Sequence, residues 1–99
     1  MRKVIVTKTV RSKIKSLRAY LLFELNLSKE AAHKRIDRMK TFLQSLSCEV
    51  ANYPLCRFKK WHDLGYRCVV FEKNWIFAYE VFDEGIIIQD MSHTNLLIE

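Results

Sequence analysis

Two glycines and a single proline among 99 residues leave little material for a linker or a low-complexity stretch, and with 49% of the chain hydrophobic a compact, mostly regular fold is expected. No apolar run approaches the roughly 20 residues that a membrane-spanning helix needs. Met1-Arg2-Lys3 is followed by only three apolar residues, Val4-Ile5-Val6, too few for a signal peptide. No membrane contact is expected, and the cytoplasm is the expected compartment. Cysteine is sparse and odd in number. Cys48, Cys56 and Cys68, at spacings of eight and twelve, match no zinc or redox motif. They are expected as reduced thiols, buried or incidental, in a cytosolic protein. Neither a metal nor a cofactor is expected.

Carboxylates are the other scarcity, and it is local. Residues 1–60 hold 15 Lys/Arg against 4 Asp/Glu, a net +11, whereas residues 61–99 hold 2 against 7, a net −5, which together give the overall +6. A field of that size over the front half exceeds what solubility requires and would steer the chain toward polyanions or acidic polypeptides. The length suits one domain, 1–99, burying roughly 60 to 65% of its unfolded surface without needing a staple.

Val4-Ile5-Val6-Thr7 reads as a first strand. From Thr9 to about Asn26, Val10, Ile14, Leu17, Leu21 and Leu25 recur at helical spacing, with Lys8, Arg11, Lys13, Lys15 and Arg18 on the other faces. Asn26 can end that helix and Ser28 can cap a second, whose stripe is Ala32, Ile36, Met39, Leu43 and Leu46, with Lys34, Arg35, Arg38 and Lys40 off the stripe. A hairpin of two helices with a basic outer surface follows. Residues 47–64 show no sustained period and read as a loop with a short edge element; within it stands Arg57-Phe58-Lys59-Lys60-Trp61-His62. Three segments rich in β-branched and aromatic residues complete the chain: Gly65 to Phe71, Trp75 to Phe82 and Ile86 to His93. Lys73-Asn74 is expected as a two-residue hairpin loop and Asp83-Glu84-Gly85 as the next turn. The fold class is α+β, in the order strand-helix-helix-strand-strand-strand, with the helical hairpin on one face of a mostly antiparallel twisted sheet.

The chain resembles the RelE/ParE-type toxins of bacterial type II toxin–antitoxin systems, also described as plasmid-stabilisation proteins. The resemblance rests on the element order, on Ala31-Ala32 and Ile36 through Leu46, and on four motifs. These are Gly65-Tyr66-Arg67 with two apolar residues after Cys68, Ile76-Phe77-Ala78-Tyr79-Glu80-Val81, Ile86-Ile87-Ile88 leading to Met91-Ser92-His93, and Asn95-Leu96-Leu97. It implies a growth-arresting toxin held inactive by a cognate antitoxin, acidic and partly disordered, which folds as it wraps the toxin. Arg11, Lys15, Arg18, Arg35 and Arg38 are the expected antitoxin-binding residues. ParE-like members inhibit DNA gyrase without hydrolysis; RelE-like members cleave messenger RNA on the ribosome.

Cleavage of RNA needs a base for the ribose 2′-hydroxyl, an acid for the leaving oxygen, and cations on the phosphate. Arg67 stands where the RelE-like branch places one phosphate-binding arginine, and His93 is the candidate acid or base. That branch's second arginine falls on Ile76, its C-terminal tyrosine has no match in Thr94 to Glu99, and the histidine-tyrosine pair of another nuclease branch is only half present in His93-Thr94. The resemblance therefore leans to the gyrase inhibitor. The alternatives are a ribosome-dependent endoribonuclease using Arg67 and His93, and a homologue that binds nucleic acid or antitoxin without activity.

With a two-residue loop at Lys73-Asn74, Arg67 opposes Glu80 and lies on the face opposite His93, while Trp75 opposes His93 and Glu80 opposes Ile88. A bulge would undo that separation. Arg67 also has a plain reading as the cross-strand ion partner of Glu80, His93 as a packed or solvated residue, and Trp75, Phe77 and Tyr79 as core. Arg57, Lys59, Lys60, Trp61 and His62 interleave charge with aromatic rings and are expected to touch nucleic acid or target. Their plain reading is a solvated loop with Trp61 tucked into the core.

Overall fold

A computed structural model describes residues 3–49 and 53–94, apart from the side chains of 47–49. Its elements are β1 (Lys3–Val6), α1 (Lys8–Phe23), α2 (Lys29–Glu49), α3 (Lys59–Asp63), β2 (Arg67–Phe71), β3 (Trp75–Phe82) and β4 (Gly85–His93). The Asn95-Leu96-Leu97 motif and the side chain of Cys48 lie outside the described residues.

Local chemistry explains where the helices start and stop. Thr7 caps α1, its hydroxyl accepting from the Val10 N–H at 3.3 Å. The helix closes at Phe23, short of the expected Asn26, because Asn26 takes φ 53° and the Leu27 N–H turns back to the Leu21 carbonyl at 3.0 Å. Leu25 is thereby left outside the helix and 46% exposed. Ser28 caps α2 by accepting from the Ala31 N–H at 3.1 Å. The remaining stripe residues, Val10, Ile14, Leu17 and Leu21 on α1 and Ala32, Ile36, Met39, Leu43 and Leu46 on α2, are all buried.

The strands form one sheet in the order β1-β4-β3-β2, with β1 parallel to β4 and the other pairs antiparallel. The helical hairpin covers the face that carries Val69, Phe77, Tyr79, Ile86, Ile88 and Met91, and these residues and the two helix stripes make the main core.

The register of the first hairpin differs from expectation. Its loop has three residues, Glu72, Lys73 and Asn74, and the positive φ angles fall on Glu72 (49°) and Lys73 (66°), not on Asn74. Arg67 consequently opposes Tyr79, and Phe71 opposes Trp75. A slip of one residue moves every β2 side chain to the other face, so Arg67 shares the helix-covered face with Phe77, Met91 and His93. Trp75 does oppose His93, but the register shifts between Ala78 and Tyr79, so that Tyr79 and not Glu80 opposes Ile88. Glu80 points to the reverse face and accepts from Gln89 Nε2 at 2.9 Å, which leaves no Arg67–Glu80 pair. Gly85 belongs to β4, opposite Phe82, and the second turn shortens to Asp83-Glu84.

The reverse face holds a second, smaller core: Cys56, Trp61 and Ala78, with Phe58, Tyr66, Cys68 and Ile76 against them. The segment from Pro54 to Tyr66 lies over β2 and β3 and includes the helical turn α3, which the expected loop with a short edge element did not contain. It runs back along β2 through a bridge between Leu55 and Arg67, and this places Cys56 beside Cys68 with Cα atoms 4.8 Å apart, joined as a disulfide. The expectation of reduced thiols is therefore corrected for these two. A spacing of twelve residues carries no signal by itself; the return of the chain beside β2 creates the pair.

Candidate functional site

The outer surface of the helical hairpin carries a groove of about 460 Å³ whose apolar floor includes Val6, Ile14, Ile36 and Leu43. Arg11, Lys15 and Arg18 line it from α1, and His33, Lys40 and Gln44 from α2. The spacing that buries Ile14, Leu17 and Leu21 leaves Arg11, Lys15 and Arg18 along the adjacent face of α1, so the groove is a by-product of the amphipathic pattern. None of Arg11, Lys15, Arg18 and Lys40 makes an ion pair among the described residues, whereas Asp37 of α2 lies against His33 Nε2 at 3.1 Å. An apolar floor between unpaired cations is complementary to an amphipathic acidic segment.

The five expected antitoxin-binding residues divide. Arg11, Lys15 and Arg18 line this groove. Arg35 borders a different cleft, and Arg38 Nε pairs with Glu72 Oε1 of the β2–β3 loop at 3.3 Å. Lys40 and Gln44 complete the groove and were missed as groove residues, although their helical spacing from Ile36 and Leu43 was the available signal.

Arg67 and His93 share a face without meeting. Arg67 opposes Tyr79 and His93 opposes Trp75, so four strand positions, about 13 Å, separate them along β3. Buried Phe77 lies between. The Arg67 guanidinium donates to the Tyr53 carbonyl, and it lies close enough to Tyr79 to act on its hydroxyl. Burial nonetheless pushes the Tyr79 hydroxyl up to about 12, so that it is neutral at ordinary pH. His93 sits edge-on to Trp75 with ring centroids 5.1 Å apart, at one wall of a cleft of about 560 Å³ that also takes in Leu17, Tyr20, Arg35 and Met91. Lys13 closes another side, its ammonium 2.6 Å from Asp90 Oδ1.

The expected target-contact cluster lies on and just before α3. Arg57, Lys59, Lys60 and His62 are exposed there, but Trp61 is only 3% exposed and packs edge-on against Phe58 at 5.5 Å. Its ring is part of the reverse-face core and is not presented for stacking. Among the described residues no group of three or more His, Cys, Asp or Glu side chains is placed to hold a metal ion. No described helix is long and apolar enough to cross a membrane.

A helical hairpin laid on a four-stranded mixed sheet, with a cationic groove on its outside, defines a small α+β domain. No protein-family model matches the sequence, and no curated protein does. Among solved structures the chain is similar to one from the chromosomal ParDE TA system of P. aeruginosa, at 17% identity, over 94% of this chain and 96% of that one, with a TM-score of 0.73. The chain has a ParE-type fold.

Proposed function

We propose that the chain is the toxin of a type II toxin–antitoxin module, arresting growth in a bacterial host by ParE-like inhibition of DNA gyrase and neutralised by an acidic antitoxin segment seated in the interhelical groove. The observation that carries this reading is the fold shared with a ParDE system chain over 94% of the length. The groove supports the antitoxin half, since its apolar floor and unpaired cations match an amphipathic acidic helix, and a segment that folds on binding can cover both at once. Two further features favour a target that is bound over one that is cleaved. Ile76 stands where a nuclease would have an arginine, and Arg67 is committed to the Tyr53 carbonyl about 13 Å from the level of His93.

The runner-up, a ribosome-dependent endoribonuclease, is supported by the exposed Arg57, Lys59 and Lys60 and by the placement of Arg67 and His93 on one face. Tightly controlled expression in a bacterial host separates the readings when labelled thymidine and labelled methionine incorporation are followed over the first minutes. Thymidine incorporation should fall first. An immediate fall in methionine incorporation with DNA synthesis continuing would sink the gyrase reading in favour of the nuclease. Absence of any arrest would point to the inactive homologue.

A further inference from the structure

We propose that Cys56 and Cys68 form a reversible dithiol–disulfide site, opened by a dithiol reductant, whose state decides whether the segment from Pro54 to Tyr66 stays clamped to the reverse face of the sheet. The sulfurs sit where a covalent tie has the most leverage. Besides the disulfide, the segment is held to the sheet by the hydrogen bond from the Cys68 N–H to the Pro54 carbonyl at 3.2 Å and by Trp61 seated against Ala78, while the bond from the Cys56 N–H to the Tyr66 carbonyl at 2.9 Å closes the segment on itself; the preceding residue, Tyr53, is anchored on the other face, by Arg67 at its carbonyl and by its ring edge-on to Tyr79. The main core lies on the opposite face and contains neither cysteine. Loss of the tie therefore acts on the segment and leaves the helical hairpin packed.

Access decides which sulfur reacts. Cys56 is 1% exposed, whereas Cys68 is partly exposed on β2, so an incoming thiolate reaches the Cys68 Sγ. That attack forms a mixed disulfide and expels Cys56 as a thiolate, which takes up a proton. The second thiol of the reductant then attacks its own sulfur in the mixed disulfide and frees Cys68. In sum the reductant gives two electrons and two protons, leaves as a disulfide, and Cys56 and Cys68 become thiols. Arg57, Lys59 and Lys60 ride on the clamped segment, so the same event changes how the exposed cations of this face are held. The inference is independent of whether gyrase, the ribosome or neither is the target.

The test uses the purified full chain with dithiothreitol as the dithiol. Alkylation under denaturing conditions should find one reactive thiol, Cys48, before reduction and three after it. Trypsin cleavage after Arg57, Lys59 or Lys60 should accelerate by on the order of 10²-fold on reduction, the scale set by reopening a loop of this length, while cleavage within α1 stays slow. A Cys56→Ser, Cys68→Ser double variant should cleave at the fast rate in either buffer. Three reactive thiols before reduction overturn the proposal, as do equal cleavage rates in the two states. Acceleration at every site, α1 included, also overturns it, because the disulfide would then be supporting the whole fold.

Discussion

At Tyr79, burial raises the hydroxyl from 10.0 to about 12, with the Arg67 guanidinium lowering it and Tyr53 adding to the rise. A group held protonated longer in the folded than in the unfolded chain contributes stability that is fully present below pH 10 and is lost as pH climbs from about 10 through 12, because the unfolded state gives up its proton first. A rise of that size is worth about 2 to 3 kcal/mol at most. Urea titrations between pH 9 and 12 should therefore show stability falling with pH, and Tyr79→Phe should flatten that fall whatever its effect at neutral pH. An unchanged slope in the variant would assign the alkaline loss to other groups. Arg67 acts in the same locality. Removing its side chain takes away the charged donor to the Tyr53 carbonyl, and Arg67→Ala should lower stability by about 1.5 to 3 kcal/mol, the worth of a hydrogen bond from a charged group. A loss of toxicity in Arg67→Ala thus counts as a functional effect only when the variant's urea midpoint shows that it remains folded.

At the level of elements, the junction of β1 with β4 leaves no room for a side chain at Gly85. A Cβ at Gly85 would lie 2.2 Å from the Lys3 carbonyl oxygen and 2.9 Å from the Lys3 nitrogen, both backbone atoms that no side-chain rotation can clear. Gly85→Ala should accordingly cost about 2 to 3 kcal/mol by forcing β1 off its register, and faster amide exchange confined to β1 and the start of β4 would locate the damage. Wild-type exchange at β1 in a destabilised variant would refute it. The elements differ in how far sequence revealed them, for physical reasons. The helix stripes were legible because burial selects one face at a period of 3.6, and the Ser28 cap because its oxygen meets the Ala31 N–H. The β2–β3 register was not, since Asn74 looks like the positive-φ residue while Glu72 and Lys73 take those angles. That one-residue slip put Arg67 on the wrong face. The five residues of α3 are too few to show a period, and the disulfide follows from a return of the chain that no local pattern encodes. Of the candidate site, the α1 cations of the groove were legible as a helix face; the division of Arg35 and Arg38 from them was not.

For the whole molecule, the front half's charge of +11 is not neutralised where it is densest. Arg11 and Lys15 are one turn apart on α1, Lys15 and Arg18 likewise, and all three flank the groove without an ion pair among the described residues. Like charges at these spacings each destabilise a helix by about 0.2 to 0.5 kcal/mol, so the free chain carries a surface that repels itself. Its stability should then increase with added salt between about 0.02 and 0.2 M, as the Debye length contracts toward 8 Å. Replacing all three residues with Gln, a comparable helix former, should stabilise the chain at low salt by roughly 0.5 to 1 kcal/mol and remove most of that salt dependence. The same variant should bind an acidic antitoxin more weakly, with the largest loss in the association rate at low salt, because the repulsion relieved in the free chain is the attraction offered to the partner. Thermal melts of the two chains across the salt range read the first effect, and stopped-flow association with a synthetic acidic amphipathic peptide reads the second. A variant no more stable than the wild type, with an equal salt slope, would mean that solvent already screens these cations from one another. Steering toward an acidic partner would then rest on the summed field of the whole front half, and the association rate would fall little in the variant.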